Sequence, residues 1–357
     1  MVRRYAVSPW WKISEAMFRA AVIGLGRVGS QYDEGQLVSA PRSHVGAILG
    51  SHEFQLAAAC DSCSAARSQF EQDWCPRAPA FANLGEALSG GPLDVVAVAV
   101  PTAEHYDVLC LVLPHKPRAI FCEKPFCASS TEAEEVLRIA NQSEVLVLAN
   151  YHRRWDRRLA ALKRELADKG PPVKVVVNYC KGLWNYGSHV VDLLAYLFGP
   201  VQAVHSATLD ARHSDRDDPS YSAILKLQGG ADAHLIGHDD VDYELFEVEA
   251  YYSKELVRIE SGGQEIRVFQ ASQDRYFKGY ANLAEVPVAF GNAPVHGLSD
   301  AYADLAAYLS GAPRLGARRQ PGRWLGPEGR ASAKASSTGE SAIATLRILE
   351  AIQRAAR

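Results

Sequence analysis

Phe18-Arg-Ala-Ala-Val-Ile23 runs directly into Gly24-Leu-Gly26-Arg-Val-Gly29, an apolar strand pattern stopped by a G-x-G-x-x-G. A short apolar run with no polar alternation reads as a strand buried on both faces of a parallel sheet. Where the hexapeptide follows a strand and opens a helix, each glycine has a task. The first permits the tight turn, the second lets backbone approach a pyrophosphate, and the third lets the helix close on the sheet. The amides of Arg27 and Val28 then face the phosphates. Alone the hexapeptide also occurs in ordinary loops, so its weight comes from what surrounds it.

The fingerprint calls for an acid at the end of the second strand. Asp61 stands there, after the apolar Phe54-Gln-Leu-Ala-Ala-Ala-Cys60. Its carboxylate would accept hydrogen bonds from a ribose diol and repel a 2′-phosphate. NAD is therefore expected, with Arg67 near enough to keep NADP open. Asp61 lies thirty-two positions beyond Gly29, against a usual ~20. The excess is assigned to a loop-like insertion after Ser30, ahead of a helix starting near His44.

Outward from this unit, apolar runs recur at 95–100, 119–122 and 145–149, separated by helical stretches. The clearest helix is Thr131–Gln142, with Thr131 and Glu134 as an expected capping box. Alternating strands and helices imply βαβ units, hence an N-terminal Rossmann domain over 17–149. Beyond 150 the character changes. A helix over 155–169 and a strand over 173–180 precede a helix over 188–199. Short strands with tight turns then fill 201–270, which predicts an antiparallel or mixed sheet. Residues 150–357 are thus read as a second α/β domain. Residues 1–16 form an extension (Met17 offers an alternative translation start), 312–340 a long polar loop, and 341–357 an amphipathic helix.

Composition sets the outer bounds. The chain has 357 residues, 48% hydrophobic and 22% charged, with formal net charge −3. That balance suits a soluble globular protein and offers no basic excess for nucleic acid. The longest apolar run is far short of the ~20 residues of a membrane span, and the N-terminus lacks a signal-peptide core. Seven cysteines in such a chain suggest no disulfide framework and suit a reducing cytoplasm. Cys60-Asp-Ser-Cys63 has no second Cys/His pair of ligand spacing, and His234-x-x-x-His238 falls on a strand, so no metal site is expected. Asp239-Asp-Val-Asp242 reads as a solvated turn.

Glu123-Lys124-Pro125 follows the fifth apolar run, at the carboxyl end of a sheet strand where open α/β sheets bind ligands. The Lys-Pro bond there can be cis. Taken in order, Gly24–Gly29, Cys60-Asp61, Val100-Pro-Thr-Ala-Glu-His105, Cys122-Glu-Lys-Pro125, Asn150-Tyr-His-Arg-Arg154 and Gly187-Ser-His-Val-Val-Asp192 resemble the glucose–fructose oxidoreductase, inositol dehydrogenase and MocA-type family. The resemblance spans roughly 17–200, and the later strands match only in general pattern. It implies a Rossmann domain followed by an α+β domain with a large open, mainly antiparallel sheet. Between them would sit a sugar, nucleotide sugar or cyclitol that exchanges a hydride with the nicotinamide. It further implies a dimer or tetramer through the second-domain sheet.

The same resemblance implies that Lys124 contacts the reacting oxygen and that His189 is the general acid/base. An imidazole with reference pKa ~6.5 can trade a proton near neutrality, and an ammonium stabilises an alkoxide-like oxygen. Pro101, Thr102, His105, Glu123 and Lys124 join the expected cofactor set. Arg153, Lys181, Asn185 and Asp192 join Lys124 and His189 as expected substrate contacts, with Asp192 placed to orient the imidazole. Many family members carry an acid where this chain has Asn185, which binds hydroxyls but is no base. Two alternatives use the same fold: an NAD-dependent glycosidase, and a catalytically silent regulator that binds dinucleotide or sugar.

Overall fold

The computed structural model describes residues 17–74, 78–209, 216–239, 241–288, 297–311 and 337–357. The expected extension over 1–16 and nearly all of the expected loop over 312–340 lie outside these residues. Six strands form the first sheet: β1 (Phe18–Ile23), β2 (Phe54–Cys60), β3 (Ala80–Phe81), β4 (Val95–Val98), β5 (Ala119–Cys122) and β6 (Leu146–Ala149). All pair in parallel, in the order β3-β2-β1-β4-β5-β6. This is the doubly wound dinucleotide-binding order, whose ligands bind beyond the strands' carboxyl ends. Every residue of β4 and β5 is buried, as unalternating apolar strands covered on both faces should be.

The helices α1 (His44–Gly50), α2 (Ser64–Trp74), α3 (Leu84–Ser89), α4 (His105–Val112) and α5 (Ser130–Gln142) link these strands. The capping expected at Thr131 sits two residues earlier. The Ser129 side chain accepts the Glu132 N–H, and the Glu132 carboxylate reaches back to the Ala128 N–H. Two overlapping Ser/Thr-x-x-Glu patterns compete here, and the earlier one wins because it closes the first turn.

After α6 (Arg157–Ala167) comes β7 (Lys174–Tyr179), then α7 (Ser188–Phe198). Seven strands follow: β8 (Val201–Leu209), β9 (Tyr221–Leu227), β10 (Asp232–Gly237), β11 (Phe246–Tyr251), β12 (Glu255–Glu260), β13 (Glu265–Gln273) and β14 (Ala281–Val286). They join β7 in the order β14-β13-β12-β11-β7-β10-β9-β8, antiparallel except where β7 and β10 run parallel. Burial alternates strictly along β7 and β11, so one face meets the core and the other stays open. Last come α8 (Gly297–Leu309) and α9 (Gly339–Ala355). The strand β14 had no sequence signal because almost all of it is exposed. Although late in sequence, α8 returns to the first sheet, where Tyr302 packs edge-on against Phe54 and Phe121.

Candidate functional site

The glycines behave as their positions demand. Gly24 ends β1 with φ 91°, and a Cβ there would lie 2.5 Å from the Ala99 carbonyl carbon. A Cβ on Gly29 would lie 1.9 Å from the Gly24 oxygen, so only hydrogen lets the helix close on the strand. At Gly26 a Cβ would meet nothing within 4 Å. That clearance is the cradle a pyrophosphate needs, and among the described residues no protein acceptor takes the N–H of Arg27 or Val28. The chain therefore fits a dinucleotide here.

Asp61 closes the same loop. Its Oδ2 accepts the Leu25 N–H at 2.7 Å and its Oδ1 the Cys63 N–H at 2.8 Å. Each oxygen keeps a further lone pair for a ribose hydroxyl. The Arg67 guanidinium donates to the Asp61 and Ser62 carbonyls at 2.7 and 3.0 Å. The Cys60 thiol, at the end of β2, is pushed up to about 11 chiefly by burial.

The insertion is a splice within the first helical turn. His44 N–H donates to Val28 O at 2.9 Å and Val45 N–H to Gly29 O at 3.0 Å. These are the bonds residues 32 and 33 would make in an uninterrupted helix, so twelve residues loop out and the helix resumes in register. Without those twelve, Asp61 follows Gly29 by twenty, the usual spacing. Asp33 ties the ends of the loop, accepting the N–H of Arg42 and of Ser43 and the Ser43 hydroxyl.

That register sets His44, which sequence reading passed over, behind the catalytic candidates. Its Nε2 donates to Glu123 Oε1 at 3.1 Å, which leaves Nδ1 to accept the Tyr302 hydroxyl at 2.8 Å. Asn150 Nδ2 also donates to Glu123 Oε1, at 2.6 Å. Burial alone would raise the Glu123 carboxyl; His44 and Asn150 outweigh it and hold it below its ordinary value. Glu123, expected at the cofactor, thus has its carboxylate engaged by protein donors, with 12% of the side chain exposed. His105 requires a correction as a cofactor contact. It is fully buried, with both ring nitrogens against the main-chain carbonyls of Val100, Pro125 and Phe126. Its ring braces the turn after β5 from within.

That turn carries the cis Lys124–Pro125 bond. Lys124 Nζ reaches into the second domain and donates to Asn185 Oδ1 at 2.7 Å. Burial lowers the Lys124 ammonium from its ordinary value, with Glu123 opposing and Arg153 assisting. Asn185 belongs to a π-helical turn, Gly182–Gly187, leading into α7. Around this contact lies a cavity of about 410 Å³ lined by Thr102, Lys124, Pro125, Trp184, Asn185 and Asp218, among others. Asp218 had no sequence signal, since no motif of the chain includes it.

His189, second residue of α7, is 6% exposed, with its ring 5.0 Å from that of His152 and 5.8 Å from that of Tyr151. Burial first, then the positive charges of Lys124 and Arg153, hold it well below the ordinary histidine value. Asp192 does not orient this ring. Arg154 Nε takes both its carboxylate oxygens, at 2.9 and 2.8 Å, and Asp192 is 1% exposed, so it is a buried ion-pair partner rather than a substrate contact. Lys181 is also corrected: its left-handed backbone (φ 61°) directs the ammonium to Glu244 at the surface. Arg153 lies over Phe246, 3.9 Å from the ring centre, and Nη2 donates to Gly262 O at 2.6 Å. Its Nε and Nη1 are buried without protein partners, and burial lowers it to about 10. Of the expected substrate contacts, the structure brings Lys124 and Asn185 together, with Arg153 close enough to act on the charge of Lys124 and both cations close enough to act on His189.

A doubly wound sheet with a glycine cradle, followed by a lysine reaching toward a second, mixed sheet, defines a dinucleotide-binding α/β protein. Residues 18–151 match the model of an oxidoreductase family described as having an NAD-binding Rossmann fold. Over this stretch the chain is similar to the glucose–fructose oxidoreductase, inositol dehydrogenase and MocA-type family.

Among curated relatives, a putative UDP-kanosamine synthase oxidoreductase subunit from Amycolatopsis mediterranei is 29% identical over 51% of this chain and 52% of its own. An inositol 2-dehydrogenase from Corynebacterium glutamicum is 24% identical over 68% of this chain and 73% of its own. The chain spans about half the length of the first curated relatives it matches. The WlbA dehydrogenase of Bordetella pertussis, solved with NADH and UDP-GlcNAcA, shares the fold with a TM-score of 0.72 at 19% identity, covering 97% of each chain. No helix among the described residues is long and apolar enough to cross a membrane.

Proposed function

We propose that this protein is an NAD(P)-dependent oxidoreductase acting on a hydroxyl or carbonyl carbon of a sugar, nucleotide sugar or cyclitol. The observation that carries the reading is the Lys124–Asn185 contact in the cavity that joins the end of β5 to the turn ahead of α7. The relatives named as sugar-nucleotide and inositol enzymes support the substrate class.

Gly26 and the free amides of Arg27 and Val28 would hold the pyrophosphate, and Asp61 the adenosine ribose. When bound, the nicotinamide supplies the hydride acceptor or donor. Lys124 donates a hydrogen bond to the reacting oxygen and stabilises negative charge as it develops. Asn185 holds the ammonium in line and can bind a neighbouring hydroxyl. His189, kept neutral by burial, accepts the hydroxyl proton in the oxidative direction and returns it in the reductive one. The lysine's charge makes the hydroxyl more acidic and the His189 ring less basic.

A second copy of the chain is proposed to cover the open face of the eight-stranded sheet, where Ile236 stands exposed. The described cysteines are free, which suits a reducing cytoplasm. Purified protein assayed with both cofactors against cyclitols, sugars and nucleotide sugars tests the activity. Cofactor reduction with one class supports the proposal; binding of NADH without turnover of any class argues for a silent regulator.

A further inference from the structure

The π-helical turn that presents Asn185 leaves its first N–H groups without helical partners. Residues 218–220 take them in sequence: Ser220 Oγ accepts Gly182 N, Pro219 O accepts Leu183 N, and the two Asp218 oxygens accept Trp184 N and Asn185 N. Gly182 makes this possible, because a Cβ there would stand 2.1 Å from Asp218 Oδ2. Capping accounts for one lone pair on each carboxylate oxygen. It does not account for the remaining pairs, nor for the place of Asp218 in the wall of the cavity that holds Lys124.

We propose that Asp218 is the carboxylate of the substrate pocket, balancing the Lys124 ammonium and accepting a hydrogen bond from a hydroxyl next to the reacting carbon. This rests on the proposed oxidoreductase reading. Asn185 can donate to or accept from a hydroxyl but carries no charge. Lys124 otherwise faces Glu123, whose carboxylate is held by His44 and Asn150, and the cation of Arg153. Asp218 therefore supplies negative charge on the side of Lys124 that substrate approaches. Its carboxyl is raised by burial and drawn back by the turn's N–H groups. A vicinal diol, with one oxygen on Lys124 and the next on Asp218, is the ligand chemistry this pair selects.

The test compares Asp218→Asn with the double variant Asn185→Asp/Asp218→Asn, which moves the carboxylate across the turn but keeps it beside Lys124. In the single variant kcat/KM on the best substrate should fall ~30-fold or more, NADH affinity should stay within ~3-fold, and the double variant should recover at least ~5-fold. An unchanged single variant overturns the proposal, and so does a double variant that recovers nothing, since capping alone then explains the loss. If Asp218→Asn does not fold, Asp218→Glu replaces it, and loss of activity in that folded, charge-retaining variant overturns the proposal. A readout without substrate separates the two ideas. The pH midpoint of Lys124 acylation should drop by ~1 unit in the variant lacking the carboxylate. Should the wild type turn over no sugar, the functional reading fails while this titration still decides whether Asp218 balances Lys124.

Discussion

Lys124 Nζ and Asn185 Oδ1 stand 2.7 Å apart, joining the carboxyl end of β5 to the turn ahead of α7. One hydrogen bond thus couples the dinucleotide-binding sheet to the element that carries His189. Chemistry at this point needs both halves of the chain, and each prediction below disturbs one of them.

Replacing Lys124 by alanine removes the donor for the developing alkoxide. Turnover should fall by ~10²–10³, the loss seen when such a donor is removed. NADH binding, measured by nicotinamide fluorescence, should change little. A variant that keeps more than a tenth of wild-type kcat would place the chemistry elsewhere.

Asp61→Ala should act twice, because Asp61 holds Leu25 N as well as facing the ribose position. NADH affinity should weaken at least ~10-fold, the loss expected for a hydrogen bond to a charged group. NADP should lose less, since repulsion of its 2′-phosphate disappears. A calorimetric titration with both cofactors shows whether the order holds.

Deleting residues 32–43 should yield a folded protein that still binds NADH within ~3-fold, since His44 and Val45 already bond to Val28 and Gly29 as if the segment were absent. Loss of binding in a folded deletion variant would show that the loop contributes to the cofactor site.

Burial lowers His152 to about 3 and holds His189 well below its ordinary value. Both are therefore neutral in the folded protein near pH 6.5, where the unfolded chain begins to bind protons. Because the folded values are the depressed ones, stability is full above ~6.5 and declines as pH falls toward the folded values. Removing one of these groups should flatten that decline. In His152→Asn the drop in Tm between pH 6.5 and 4.5 should be smaller than in wild type. An equal drop would show that carboxylates alone set the acid limb.

Much of the fold was legible because the parallel strands are apolar without alternation and the glycines stop them at one point. Elements defined by exposure or by long-range return were not. β14 is solvent-facing, and α8 closes a sheet whose last strand ends 148 residues before α8 begins. In the site, Lys124 was legible from the proline after it at a strand's carboxyl end, and Asn185 only through the family resemblance. His44 was hidden by the twelve-residue splice, and Asp218 carried no signal because its bonds go to a turn over thirty residues away. Asp192 and Lys181 misled because spacing along one element shows which residues share a face, not which partner claims the charge. Arg154 and Glu244 claim them.

The most direct test of the account is a single comparison of wild type, Lys124→Ala and His189→Ala, each titrated with NADH and then assayed on the sugar and cyclitol panel. The account predicts that all three bind the dinucleotide with similar affinity and that only the wild type exchanges hydride with substrate. Wild-type protein that leaves nicotinamide fluorescence unchanged would contradict it.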